Sequence, residues 1–364
     1  MSILILGSDG FIGRNIKYFL RGRGINFYEL NRNNKNNISN KIKNSEFIIH
    51  LADKIKSKKK NDFQKSLVFT KKILSEIKKT GKKKNIIYAS SVNINTKNNL
   101  HYNLKRNTEK ILKSNKYFKS YVLRLPNIFG KWCRPNYNSF FTTACYNIPR
   151  KKKIKISSNK KFPLVHVSDV CEYILKTILT KRIDKNYLKK KYIYLSPLDI
   201  KNILLSFNNK NKIDIKKKYN LNNDEINKIF STYLFYNKKN YFVDKIKKIK
   251  DFRGEFSELI KDKNFGQISL LTVNPKQERG NHFHDYKIEK FFVLSGKGKL
   301  IHQNILDNKL KAFNISDSSN VIYSTIPGWS HKIKNVTKKK LIILIWSNEV
   351  YNKNKPDTIK WIIK

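Results

Sequence analysis

The sequence predicts a doubly wound α/β domain on a parallel sheet, followed by an all-β domain whose sheet folds upon itself. Three observations carry this. Gly7, Gly10 and Gly13 lie between an apolar run, ILILG, and an amphipathic run, FIGRNIKYFL, and read as strand, turn and helix. Further apolar strands recur at INFYEL, FIIHLAD, NIIYASS and YVLRLPNIFG. Beyond Asp251 the runs become short and alternating (QISLLTV, KFFVLSG, GKLIHQNI, NVIYSTIP, KLIILIWSN), spaced by Gly, Pro and Asn turns, as in a double-stranded β-helix.

A chain of 364 residues is long enough for two cores. We place the boundary so that residues 1–245 form the dinucleotide half and 246–364 the barrel. The formal charge of +52 would ordinarily point to nucleic acid or an anionic membrane surface. Here lysine is spread over every segment beside Asn and Ile, including runs such as KSKKKN and LKKKYI. A binding patch would be confined to one face, so no specific nucleic-acid partner is expected. Cys133, Cys145 and Cys171 lack CxxC spacing and read as reduced cytoplasmic thiols. The chain enters a strand at once, so no leader is expected, and no apolar run reaches the roughly 20 residues needed to span a bilayer. The expectation is a soluble, cytoplasmic protein.

The GxxGxxG spacing resembles that of short-chain reductases. The first glycine permits the tight turn, the second lets backbone approach a pyrophosphate, and the third lets helix pack on strand. Phe11 and Ile12 belong to the same cofactor loop. The strand INFYEL ends at Asn31-Arg32, where an acidic residue would hold the 2′-hydroxyl of NAD. Arg32 suits a 2′-phosphate instead, so NADP(H) is the expected cofactor.

In the second half, GNHFHDYKIEKFFVLSG (280–296) carries His282 and His284 two apart, on one face of a strand. Glu289 follows across a polar break, and PGWSHKIKN supplies His331 after a Pro327-Gly328 turn, with Asn335 four positions on. Three imidazoles and a carboxylate without sulfur suit Zn, Mn, Fe or Ni, zinc being the expected ion.

That pattern resembles the two metal motifs of the cupin barrel at every ligand position. The wider chain resembles two-domain capsule and O-antigen enzymes of the CapF/WbjC type, an extended short-chain reductase joined to a C-terminal cupin. The residues that carry this are RLPNIFGKWCRPNYNS (124–139), STYL (231–234), the metal segment and WSNEVYNKNKPDT near the end, while Arg253-Gly-x-Phe resembles the opening of sugar-nucleotide epimerases with a cupin barrel.

The resemblance implies roles residue by residue. It places His50, Leu51 and Ala52 against the cofactor and makes Ser91 the serine that steadies the substrate carbonyl. Arg124, Asn127 and Gly130 match an RxxNxxG on the sugar-nucleotide side of the cleft. Trp132, Asn136, Tyr137 and Asn138 suit stacking and hydrogen bonding to a sugar nucleotide. Asp169 reads as a helix cap.

Family members need a Tyr with a Lys four residues later on one helix. The Tyr gives its proton to the carbonyl oxygen as hydride arrives, and the Lys lowers the Tyr pKa. Here the run is HYNLKRNTEKIL: four after Tyr102 is Arg106, and Lys105 lies four after His101. Two readings compete. Tyr102 works with Lys105 or Arg106 as the positive charge, or the site is impaired and the domain only binds or supports.

The resemblance implies a two-step chemistry on a UDP-linked 4-keto-6-deoxy-N-acetylhexosamine. The barrel epimerises C3, and the reductase delivers NADPH hydride to C4. The product would be UDP-N-acetyl-6-deoxy-L-talosamine, towards UDP-N-acetyl-L-fucosamine. Tyr286 and Lys290 are nearby candidates for the epimerisation base, and a homodimer through strand exchange between barrels is expected from the family. Two alternatives stand beside this: a barrel epimerase tethered to an inactive reductase, and a non-catalytic metal-binding or assembly protein.

Overall fold

A computed structural model of the chain describes residues 1–31, 37–57, 60–97, 99–114, 117–207, 214–237, 243, 245–262 and 265–363. The chain divides into two compact units, Met1–Tyr241 and Phe242–Lys364.

The first unit opens with β1 (Ile3–Leu6), α1 (Phe11–Arg21), β2 (Phe27–Leu30), α2 (Ile38–Lys43), β3 (Phe47–His50), α3 (Lys60–Lys79), β4 (Lys84–Ser91), α4 (Leu100–Lys113) and β5 (Phe118–Leu125). The five strands form one parallel sheet in the order β2-β1-β3-β4-β5. Ile3 to Leu6 are all fully buried, as expected of a strand covered on both faces. Strand order reverses beside β1, so the crevice outside the carboxyl ends of β1 and β3 is where such a sheet takes its ligand.

A smaller sheet follows, with β6 (Asn127–Phe129) parallel to β7 (Phe162–His166) and β7 antiparallel to β8 (Ile193–Leu195). It packs with α5 (Phe140–Asn147), α7 (Pro197–Ser206), α8 (Ile215–Tyr219) and α9 (Asn223–Tyr236), whereas α6 (Val167–Thr180) packs with α1 on the large sheet. Phe129, Phe141, Leu204 and Tyr233 lie in its core. Ser196 caps α7 and Pro197 sits in its first turn. Asp169 is not the cap expected of it. The His166 side chain accepts the N–H of Ser168, while Asp169 lies in the first turn and binds Lys228 of α9 at 2.8 and 3.0 Å. A buried carboxylate beside an ammonium gains more from that ion pair than from an N–H already served.

The second unit is all antiparallel. Its strands are β9 (Lys248–Asp251), β10 (Gly254–Asp262), β11 (Gly266–Val273), β12 (Glu278–Phe283), β13 (Glu289–Ser295), β14 (Lys297–Asn304), β15 (Leu310–Ser316), β16 (Ile322–Ser324), β17 (Trp329–Lys334), β18 (Leu341–Ser347) and β19 (Ile359–Lys360). They make two sheets, β16-β13-β18-β11-β10-β9 and β15-β14-β17-β12-β19. Inward residues alternate along β11 and β18, and Leu271, Val273, Phe291, Leu300, Ile333 and Ile343 fill the interior. Gly254, at φ 142°, lets β10 approach β11 closely; a Cβ there would stand 2.1 Å from the Thr272 carbonyl oxygen. Among the described residues, no helix is long and apolar enough to cross a membrane, and the three thiols are free.

Candidate functional site

In the barrel, β12 and β17 pair with a bulge at Asn281 (φ 60°), and that extra residue brings His282 opposite His331. His284 follows two residues on, its carbonyl held by the Gly328 N–H at 3.0 Å, so the Pro327-Gly328 turn fixes both histidine-bearing segments. Glu289 opens β13, where its N–H reaches the Thr325 hydroxyl at 2.8 Å. One ligand atom from each of His282, His284, Glu289 and His331 falls within 4.8 Å of all the others. Glu289 Oε2 lies 3.4 Å from Nε2 of both His284 and His331.

The electrostatics suit a cation. Burial drives the His282 imidazole down to about 3, aided by His331 against the opposing pull of Glu289, and burial also lowers His331. Neutral imidazoles have the lone pairs a metal needs. Burial disfavours the charge on Glu289, but the two imidazoles and Lys287 outweigh it and hold the carboxyl well below its usual range. His284 Nε2 is buried without a hydrogen bond. Its Nδ1 meets the Asp357 carbonyl, an acceptor only, so the lone pair sits on Nε2 and faces the cluster. The donor set therefore fits a divalent ion.

Three residues beside the cluster escape sequence reasoning. Lys287 is buried, with its ammonium 2.6 Å from Glu289 Oε1. Asp357 comes from the far end of the chain. His302 on β14 stands in register with His331 at a ring separation of 6.2 Å, and burial lowers its pKa to about 4. Strand pairing brings in His302 and the return of the C-terminal segment brings in Asp357, whereas Lys287 lies two residues before Glu289. Tyr286 is half exposed, and Lys290 is exposed on the face of β13 opposite Glu289. Asn335 is fully buried and clamps a turn by donating to the carbonyls of Val273 and Lys339, both at 2.8 Å.

In the first unit, Gly7 (φ 82°) ends β1, and a Cβ there would stand 3.0 Å from the backbone of Leu51 and Ala52, just past β3. A Cβ on Gly13 would stand 2.1 Å from the Gly7 carbonyl oxygen. Phe11 and Ile12 start α1 directly after Gly10, so the helix N-terminus opens at the switch point. The Ser8 hydroxyl in this loop is buried without a partner. This cradle fits a dinucleotide. Arg32 lies outside the described residues. His50 is buried, with Nε2 2.9 Å from the Thr70 hydroxyl.

The reductase candidates divide between two directions. Lys105 is buried, 2.9 Å from Asp53 Oδ2 and 2.6 Å from the Ala89 carbonyl oxygen. The Tyr88 hydroxyl donates to the same Asp53 oxygen at 2.6 Å. Burial works against the charge on Asp53, yet Lys105, His50 and Tyr88 together hold its carboxyl below the ordinary value. Arg106 turns the other way, to the carbonyls of Ile94 and Thr96 and the side chain of Asn103. Ser91 ends β4 with its hydroxyl 3.2 Å from the Asn93 N–H.

The expected substrate-side residues have separate partners. Arg124 binds Glu109 through two hydrogen bonds (3.1 and 2.8 Å), and Glu109 also accepts from Ser90 at 2.5 Å. Trp132 (φ 67°) packs on Tyr18 of α1, with ring centroids 5.2 Å apart. The Tyr137 hydroxyl donates to the Lys56 carbonyl at 3.1 Å, and Asn136 accepts from Asn147 at 3.1 Å. Asn127 and Asn138 are exposed.

Known proteins share this architecture. Residues 3–187 match the NAD dependent epimerase/dehydratase family, and residues 249–359 match the polysaccharide biosynthesis C-terminal domain. The UDP-2-acetamido-2,6-beta-L-arabino-hexul-4-ose reductase of Pseudomonas aeruginosa is 31% identical over 367 residues, 98% of each chain. The crystal structure of capsular polysaccharide assembling protein CapF from Staphylococcus aureus superposes with a TM-score of 0.85 at 28% identity, over 100% of both chains. The UDP-glucuronic acid 4-epimerase of Bacillus cereus, solved with NAD, shares the fold alone: TM-score 0.52, 16% identity, 65% of this chain and 96% of its own. The chain belongs to the NAD dependent epimerase/dehydratase family, in its two-domain CapF-like form, and is a nicotinamide-dependent reductase/epimerase.

Proposed function

We propose that the protein acts on a UDP-linked 4-keto-6-deoxy-N-acetylhexosamine, epimerising C3 in the barrel and reducing C4 in the first unit. The observation that carries this is the His282–His284–Glu289–His331 cluster, within 4.8 Å and buried at all but His282. It occurs in a chain 31% identical along its length to a UDP-hexulose reductase. A proton next to a carbonyl can leave because its charge moves to oxygen, and that oxyanion needs a cationic partner. A divalent ion, zinc by preference, supplies Lewis acidity there when bound. The chain's own part is to hold three imidazoles and an ionised Glu289 together in the barrel wall, with Lys287 adding positive charge.

In the first unit a bound nicotinamide, NADP(H) by preference, supplies the hydride. Gly7, Gly10 and Gly13 open the backbone to its pyrophosphate, Ser91 orients the substrate carbonyl, and Lys105 places a cation beneath the strand ends. The product would be UDP-N-acetyl-6-deoxy-L-talosamine, in capsule or O-antigen precursor synthesis. A second reading, an epimerase with a silent reductase, draws on Arg106 being spent on loop carbonyls rather than on Tyr102.

The test is to offer the purified protein this ketone, made enzymatically from UDP-GlcNAc, together with NADPH. Equimolar NADPH oxidation and a C4 alcohol are expected. Turnover of C3 without NADPH loss would favour the silent reductase, and no change in the ketone would refute the substrate.

A further inference from the structure

Helix α4 turns a row of residues four apart towards the sheet: His101, Lys105 and Glu109. Glu109 reaches Ser90, and Lys105 reaches Asp53 and Ala89. His101 Nδ1 lies 2.9 Å from the carbonyl oxygen of Lys54. All these partners lie at or just past the carboxyl ends of β3 and β4, the edge where an open α/β sheet takes its ligand. Tyr102 begins the next row, about 100° round the helix, and the Arg106 four residues after it goes to the 94–96 loop. The pair with a lysine at i+4 is therefore His101 and Lys105.

We propose that His101 is the proton donor of the reductase, standing where short-chain reductases carry tyrosine. This rests on the reductase reading above. The Lys54 carbonyl only accepts, so Nδ1 keeps its hydrogen and Nε2 is the atom that gains and loses a proton. As the carbonyl carbon takes hydride and its electron pair from the reduced nicotinamide, the C=O π pair moves to oxygen. That oxygen takes the Nε2 proton of the imidazolium. The products are the alcohol, the oxidised nicotinamide and a neutral His101, which solvent reprotonates.

This donor has a pH signature. The charged groups near the ring are Lys105 on its own helix and Asp53 after β3, while the Lys54 ammonium is paired with Asp62 at 3.2 Å. Burial and Lys105 lower the imidazole below the ordinary 6.5, against the Lys54 carbonyl and Asp53. Reduction should therefore slow as pH rises through that titration, whereas a tyrosine would stay protonated to about pH 10.

The experiment uses the full chain with labelled histidine, His101 being assigned by the signal lost in H101Q. Adding NADPH should shift the His101 ring resonances. Unmoved resonances would overturn the proposal whatever the substrate is. In turnover, H101Q should lose at least about 100-fold in kcat while NADPH affinity stays within about threefold. H101Y should keep turnover and lose the alkaline decline, and Y102F should stay within about threefold of wild type. A large loss in Y102F with H101Q unaffected would overturn it. If the wild type leaves NADPH untouched with this ketone, the substrate reading fails, and the ring resonances still decide where His101 sits.

Discussion

Asp357 holds His284 in place from 73 residues away. Its backbone carbonyl accepts the imidazole Nδ1–H, and its carboxylate accepts the N–H groups of Asp285, Tyr286 and Lys287 at 2.9, 3.1 and 2.7 Å. Burial opposes the charge on Asp357, but the three N–H donors keep its pKa below the usual value. One residue thus sets the imidazole tautomer and the turn that follows it. D357A should weaken zinc binding by about 10- to 100-fold, read by competition with a chromogenic chelator. Unchanged affinity would mean that the turn holds its shape without Asp357.

Lys287 stabilises the ionised form of Glu289 across 2.6 Å. K287M removes that support, so Glu289 binds protons more readily and they compete with the metal at higher pH. The midpoint of acid-induced metal release should move upward. A midpoint that stays or falls would show that the ammonium does not control this carboxylate.

Gly13 leaves no room for a side chain, since a Cβ would meet the Gly7 carbonyl oxygen at 2.1 Å and the Ser8 backbone at 2.8 Å. G13A should cost about 1–3 kcal/mol in stability as the loop is pushed aside. NADPH affinity should fall at least tenfold with it, as fluorescence titration would show. Metal content in the barrel should not change.

The parts legible in sequence were those whose geometry is local. Three glycines after one strand form the cradle, and a His-x-His on another strand supplies two of the cluster's imidazoles. Asp357 and His302 were not legible, because strand pairing and the return of the C-terminal segment bring them to the cluster. The direction of Lys105 was open for a related reason. Spacing along α4 allows either Tyr102 or His101 as its partner, and only the position of Asp53 beneath the helix shows which face turns inward. Asp169 read as a cap because the facing Lys228 lies 59 residues away.

His166, at the start of α6, should couple fold stability to pH. Burial lowers it to about 4, with Lys228 and Lys131 adding to the effect and Asp169 opposing it. Between about 4 and the ordinary 6.5 the unfolded chain binds a proton that the folded chain refuses. Stability from this group is therefore full above that window and is lost as pH falls through it, by no more than roughly 3 kcal/mol. Thermal unfolding at about pH 7 and about pH 5 should show a smaller difference in H166Q than in wild type. An equal difference would assign the effect to other groups.

In the proposed function one chain exchanges the C3 proton in its barrel and reduces C4 in its dinucleotide fold. The most direct measurement offers the UDP-4-keto-6-deoxy sugar to the metal-loaded protein in deuterated water, with and without NADPH, and reads the product by mass spectrometry and NMR. Deuterium at C3 under both conditions, with a C4 alcohol only when NADPH is present, is the predicted result. A C4 alcohol formed without deuterium at C3 would contradict it, leaving a reductase whose metal barrel serves some other purpose.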